Sequence, residues 1–180
     1  MSFILGFAFP AFALVACDTR MNVLSSAGER GYNDRDPLSI DFRDGSRYAV
    51  PEWGRKISRY DWGWLATGGN AALLGKACMD DLRSRPVDHS GEIGERILAC
   101  AKRQGPHLRV QFGNPPETPD RVAAVYTFNS PTGLQVGSVD TSVRQHTPTT
   151  NAFRLAAPPD VPGAVHVALQ RDLSEKLVQK

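Results

Sequence analysis

Residues 2–20 read SFILGFAFPAFALVACDTR, and the way this stretch folds decides the architecture. It is apolar from Phe3 to Cys17, interrupted only by Gly6 and Pro10, and closes on Asp18-Thr19-Arg20. Two apolar runs separated by a proline suit a buried hairpin: Phe3–Phe9, a turn near Pro10, then Phe12–Cys17. Strands covered on both faces lose the alternation of polar and apolar residues, which is what this run shows. A second reading competes with the first. Leu14-Val15-Ala16-Cys17 has the form of a lipobox, in which a short apolar segment ends at a cysteine that receives a lipid. A secretory leader carries a positive n-region, whereas the first Lys or Arg here is Arg20. The fifteen residues 3–17 are also too few to cross a bilayer as a helix. The hairpin is preferred; a lipid-anchored periplasmic protein is the alternative.

At 180 residues the chain is long enough to bury a substantial core and fits one domain, 1–180. Hydrophobic content of 41% and charged content of 22% are those of an ordinary globular protein. A net charge of +2 gives no argument for nucleic acid or a membrane surface as partner. Cys17, Cys78 and Cys100 form neither a CxxC site nor an even disulfide set, so a reducing, cytoplasmic setting is expected. His89, His107, His146 and His166 share no metal-ligand spacing, and no GxGxxG or P-loop pattern occurs, so neither metal nor cofactor is expected.

Downstream of the hairpin, the residues from about 21 to 54 are polar and loop-like, with Asp44-Gly45 predicting a hairpin turn between DFR and SRYAV. KISRYDWGWLAT, 56–67, reads as two short strands around Tyr60-Asp61, ending at Gly68-Gly69. A helix capped by Asn70 follows, with Leu73, Leu74, Ala77, Cys78 and Leu82 on one face and Pro86 as its stop. A second helix runs from Ser90, its N-cap, to Gln104, where Gly105-Pro106 ends it. Leu108–Phe112, Arg121–Asn129, Gly133–Asp140 and AFRLAA (152–157) read as strands. QHTPTTN (145–151) reads as a polar connection. Ala164–Val178 reads as a final helix with Val165, Leu169, Leu173 and Leu177 at i+4 spacing. Strands, paired helices, then strands again make the chain α+β, with sheets covered by helices.

Ser2 stands directly behind the initiator methionine, and a small second residue favours removal of that methionine. A serine with a free α-amine combines a hydroxyl nucleophile with its own base. ACDTRMN after the hairpin, GRKI before the next strand, and LATGG running into a helix together resemble the proteasome β-subunit group of N-terminal-nucleophile hydrolases. That group pairs a nucleophile at the mature N-terminus with an aspartate ending the second strand, a lysine opening the third and a glycine before the first helix. Ser2 to Asp18 is sixteen residues, as in the family, and the lysine and glycine fall on Lys56 and on Gly68, or Gly69 if the strand is one residue longer. Taken singly, each of these is an ordinary turn or strand end; their joint order carries the resemblance. It covers 2–104 well and 121–178 in outline.

The resemblance implies an Ntn-hydrolase-like four-layer α/β/β/α sandwich, shortened, in which Ser2 Oγ attacks an amide carbonyl and its α-amine relays the proton. An α-amine with a pKa of about 8 suits that task near neutral pH. Lys56 would ease deprotonation of that pair, Asp18 would hold Lys56 charged, and an amide at Gly68 would donate to the oxyanion. Arg20 would join the ionic cluster, and Met21, Asn22 and Gly69 would line an edge for an extended peptide or small amide. Trp53, Trp62 and Trp64 flank Lys56 and are candidates for a pocket wall. Self-assembly in the family implies a homo-oligomer. Two departures stand out. The turn where the family carries a serine reads APPDVPG at 157–163, with Asp160 as its one substitute, and the sequence stops at Lys180 where the family continues. They leave a non-catalytic, proteasome-like assembly or binding subunit as the rival function.

Overall fold

The computed structural model describes residues 3–17, 22–24, 30–32, 39–41, 43–49, 56–69, 71–112, 120–142, 145–150, 152–156 and 163–178. The chain is α+β, with antiparallel sheets and helices. Strands β1 (Ile4–Ala8) and β2 (Ala13–Cys17) form the expected hairpin, closed where the Phe9 amide donates to the Phe12 carbonyl at 2.8 Å, but it is not covered on both faces as expected: Phe3, Phe12 and Leu14 are exposed. Strand β12 (Ala152–Ala156) pairs along the other side of β1, giving a three-stranded sheet in the order β12-β1-β2. A five-stranded sheet, β11-β10-β9-β8-β7, is built from β7 (Ile57–Tyr60), β8 (Gly63–Gly69), β9 (Val122–Ser130), β10 (Gly133–Asp140) and β11 (Gln145–Thr150).

Strand alternation divides the core into two. On β9, Val122, Ala124, Tyr126 and Phe128 join Trp62, Leu65 and Val139 against the helices α1 (Ala72–Ser84) and α2 (Ser90–Phe112). Those helices contribute Leu74, Cys78, Met79 and Leu82 from α1 and Ile93, Ile97 and Cys100 from α2, each set falling on one helical face. Val125 and Val136 point the other way and meet Ile4, Ala8, Ala66 and the flanking Ala13, Val15 and Cys17. The three-stranded sheet therefore lies against the face of the five-stranded sheet that the helix pair leaves open. Helix α3 (Gly163–Val178) packs against β12, whose Phe153 and Leu155 are buried.

Gly6, in the middle of β1, sets how close the two sheets come. A Cβ at that position would lie 2.6 Å from Val125 Cγ1 and 3.0 Å from Val136 Cγ2. On the opposite face Gly137 plays a matching part. It pairs across the ladder with Tyr126, whose ring occupies the space a side chain there would need. The Tyr126 hydroxyl reaches on to donate to the Ser90 carbonyl at 2.8 Å, tying the central strand to the start of α2.

Several expectations need correcting. Helix α2 continues through Gly105-Pro106 to Phe112, absorbing the stretch 108–112 read as a strand. Proline removes one helical hydrogen bond, but Leu108 beyond it packs on the helix-side core, so burial outweighs the local break. His89 rather than Ser90 caps the helix: its Nδ1 accepts from the Glu92 amide at 3.2 Å. Ala71 precedes α1 and gives no side-chain cap; Asn70 lies outside the described residues. The polar 145–151 segment contains strand β11, an edge position where Pro148 is tolerated. The 21–54 stretch holds four short strands, β3 (Asn22–Leu24), β4 (Arg30–Tyr32), β5 (Ser39–Asp41) and β6 (Arg47–Ala49), paired in that order as an antiparallel meander. The turn at Asp44 is as expected, with its carboxylate accepting from the Ser46 amide at 2.8 Å. On α3, Val165 and Leu169 face solvent rather than core.

Replacing Gly6 with alanine tests the sheet-to-sheet contact. Overpacking of this kind costs about 1–3 kcal/mol, equivalent here to a fall of roughly 3–10 °C in Tm. A thermal melt by circular dichroism that is unchanged by Gly6→Ala would show that the sheets do not approach through this residue.

Candidate functional site

The residues singled out by sequence divide between described and undescribed positions. Ser2, Asp18, Arg20 and Met21 lie outside the described residues, as do Trp53 and Asp160. The strands that lead to the first two end opposite one another: Ile4 is the register partner of Cys17. Cys17 is half-buried and packs on the core shared by Ile4 and Ala66. Asn22 opens β3, pairing with Tyr32, and β3 is the edge strand of its meander.

Lys56 and the glycine pair are brought to one end of the β7–β8 hairpin. The Lys56 carbonyl accepts from the Thr67 amide at 2.7 Å, which sets Lys56 across from the residue preceding Gly68. Amides along a strand alternate in direction. With Thr67 turned toward β7, the Gly68 amide turns toward β9, where Gly68 pairs with Ala123. The Gly69 amide turns back to the β7 side, beyond the point where β7 begins.

Gly69 is held in a conformation that only glycine takes readily. Its φ is +135°, and a Cβ there would collide with the Arg121 carbonyl oxygen. The Arg121 backbone is in turn fixed from the side. Its guanidinium grips Asp140 through Nε at 3.2 and 3.1 Å and through Nη2 at 2.6 Å. Asp140 Oδ1 also accepts from the Ser142 amide and hydroxyl, and Thr141 bonds reciprocally with Val122. Burial works to raise the Asp140 pKa, but the Arg121 and Ser142 hydrogen bonds outweigh it and hold the carboxyl below its ordinary value of 3.8. Sequence reasoning missed this clamp because Arg121 and Asp140 meet only through the β9–β10 register.

Just past Gly69, among the described residues, α1 starts without a side-chain cap, and its first turn carries no acidic residue. Its N-terminal amides form the positive end of the helix dipole beside the hairpin end. The aromatic residues of the hairpin split by face. Trp62 is buried, stacked on Tyr60 at 4.6 Å, and Tyr60 has Arg83 over its ring at 5.5 Å. Burial raises the Tyr60 hydroxyl to about 12, and among the described residues its oxygen has no hydrogen-bond partner. Trp64 shares the face of Ala66, toward the three-stranded sheet, yet is 47% exposed, with Arg59 5.8 Å over its ring.

Comparison with protein-family models gives no match, and comparison with curated proteins gives none either.

Asp140 makes the acid sensitivity of this end predictable. Its pKa is lower folded than unfolded, so its stabilisation is complete above the unfolded value near 3.8 and is lost as pH falls through the folded one. Asp140→Asn should cost about 1–3 kcal/mol at neutral pH and should flatten the loss of stability below about pH 4. Urea midpoints at several pH values check both; parallel curves for wild type and variant would remove Asp140 as the titrating group.

Proposed function

We propose that the chain is a proteasome-like N-terminal-nucleophile hydrolase, a four-layer α/β/β/α sandwich that cleaves amide bonds with Ser2. The observation that carries this reading is the order of the layers. The helix pair α1–α2 covers one face of the five-stranded sheet, and the sheet containing the N-terminal hairpin covers the other. Helix α3 then packs on β12 of that second sheet. The β1–β2 hairpin thereby lies against the five-stranded sheet, and its register pair Ile4–Cys17 is within two residues of Ser2 and Asp18 along the sequence.

In this mechanism Ser2 Oγ attacks the amide carbonyl while its proton passes to the α-amine. The oxyanion is met by the Gly69 amide, which ladder parity favours over Gly68; loss of such a donor costs about 3 kcal/mol in enzymes that use one. The α-amine then returns the proton to the leaving nitrogen as the C–N bond breaks, leaving an ester on Ser2. Water, or an acceptor amine in the transferase variant, resolves the ester. Lys56 and Asp18 supply the charged pair that eases proton removal. The edge position of β3 at Asn22, with Arg20 and Met21 before it in sequence, and the exposed face of Trp64 on β8 suit an extended peptide or small amide.

A second reading, a non-catalytic assembly subunit, draws on a different observation. Phe12 is 53% and Val167 67% exposed, and Phe3, Leu14, Val165 and Leu169 are exposed with them. Apolar residues in that number on the hairpin and α3 are what a homo-oligomer would cover.

A β-lactone electrophile separates the two readings without knowledge of the substrate. Protein beginning at Ser2 should gain one acyl adduct by intact mass, mapped to the N-terminal peptide. The adduct should be lost with Ser2→Ala or with an uncleaved N-terminal extension, and Lys56→Ala should slow its formation at least about tenfold while leaving the melt unchanged. Failure of Ser2 to acylate with its amine free would sink the catalytic reading and leave the assembly one. Intact mass also reports a lipidated Cys17, the third class raised by LVAC. Sedimentation at micromolar concentration tests the homo-oligomer, and a monomer with a cooperative melt would remove it.

A further inference from the structure

The oxyanion donor of the proposed reaction sits where its own strand has least to hold it. Gly68 and Gly69 end β8 without side chains to pack, and β7 begins at Ile57, opposite Ala66 and short of Gly69. Among the described residues the strand alongside Gly69 is β9, where Gly69 pairs with Val122. A Cβ on Gly69 would meet the Arg121 carbonyl oxygen, and would lie 2.9 Å from that carbonyl carbon and 3.2 Å from Val122 Cα. The Gly69 backbone therefore rests on the peptide between Arg121 and Val122, at the very start of β9. A strand end opens easily unless something beyond the ladder ties it down. Here side chains tie it to the end of β10. The Arg121 guanidinium contacts both Asp140 carboxylate oxygens, and the Val122 amide donates to Thr141 Oγ1 at 2.9 Å. The side chains of Arg121 and Asp140 are 14% and 24% exposed, so the pair is shielded from the solvent that loosens a surface ion pair.

Given the Ser2-nucleophile reading, on which this rests, we propose that Arg121 and Asp140 are positioning residues, a clamp that holds the Gly69 peptide where its amide meets the oxyanion. Neither side chain touches the substrate; both act through the main chain at Arg121. Negative charge develops on the substrate carbonyl oxygen as the bond from Ser2 Oγ forms. A donor stabilises it without moving only if it already lies about 2.7–3.1 Å from the place that oxygen will occupy. A displacement of about 1 Å can cost about a hundredfold in rate. A pair of glycines offers neither rotamer nor packing to resist such a shift. The ion pair does resist it, because contact through both Nε and Nη2 fixes orientation as well as distance. Lysine at 121 would keep the charge and lose the second contact. Asparagine at 140 would keep the shape and lose the charge.

The test follows acylation of Ser2 by a β-lactone in protein beginning at Ser2, at a temperature where every variant is folded by circular dichroism. In that reaction Ser2 Oγ bonds to the lactone carbonyl carbon and the ring C–O bond breaks. The Oγ proton passes through the α-amine to the released alkoxide, so the adduct carries the whole lactone mass. Arg121→Lys and Asp140→Asn should each lower the rate at saturating lactone at least about tenfold and leave the half-saturating concentration unchanged. Ile97→Val, a buried change in the helix pair, is the control for stability alone: it should lower Tm and keep the wild-type rate. Isotope labelling of glycine nitrogen gives a readout apart from acylation. The Gly69 amide resonance should shift in both clamp variants, while that of Gly133, at the far end of the β9–β10 ladder, stays in place. Wild-type rates in the clamp variants, an unmoved Gly69 resonance, or equal slowing in Ile97→Val would each overturn the clamp and leave Ser2 as nucleophile. Absence of acylation in the wild type would overturn the Ser2 reading and the clamp with it.

Discussion

The structure hangs on the contact made by a residue with no side chain. Gly6 lets the backbone of β1 settle onto Val125 and Val136, and this close approach sets the composition of everything on that side. The layer between the sheets is filled by Ala8, Ala13, Ala66 and Ala156 with Ile4, Val15, Val125 and Val136, and Leu134 and Cys17 at its margin. The opposite face of the same five-stranded sheet takes the large residues, Trp62, Tyr126, Phe128, Met79 and Leu82. A thin apolar layer and a thick one on either side of β9 make it a strand with both faces buried, which is why VAAVYTFNS reads as one nearly continuous apolar run.

The hairpin at the N-terminus was legible in sequence because Pro10 divides one apolar run into two halves of strand length. The strands 57–69 and 133–140 and helix α1 were legible from periodicity bounded by glycine or proline. Three features were not, each for a physical reason. Gly105-Pro106 signals a helix end locally, and only burial of Leu108 carries α2 past it. QHTPTT has little strand character of its own and becomes β11 by pairing with β10 at a sheet edge. The short strands between Asn22 and Ala49 lack apolar alternation, so only the turn at Asp44 announced them. At the candidate site, the order of Lys56 and Gly68-Gly69 was legible in sequence, while the side to which each strand amide turns needed the ladder. The Arg121–Asp140 clamp needed register, which no spacing along the chain encodes.

The distribution of charge around the core is uneven. The outer side of α1 and α2 is dressed with ion pairs, Lys76 with Asp80 and Arg103 with Asp81. Their connection is tied down by buried Arg96, which reaches Asp81, Glu92 and the carbonyls of Arg85 and Pro86. The hairpin end shows the reverse. Phe7, Phe9 and Phe12 meet tilted or edge to face with ring centres 5.3–5.8 Å apart, and Phe12 stands in the open. One side of the molecule is built to meet water and the other carries apolar surface that water does not favour.

Tyr126 and Gly137 form a single unit of substitution. The ring fills the space above the glycine and its hydroxyl holds Ser90, so neither position tolerates exchange while the other keeps its residue. A small residue at 126 would leave a hole over Gly137 and an unanswered carbonyl at the start of α2; any side chain at 137 would collide with the ring. Distant relatives of this chain should therefore vary at these two sites in concert, trading bulk across the β9–β10 ladder. That reciprocal pattern is a more durable mark of common descent than identity at either position alone.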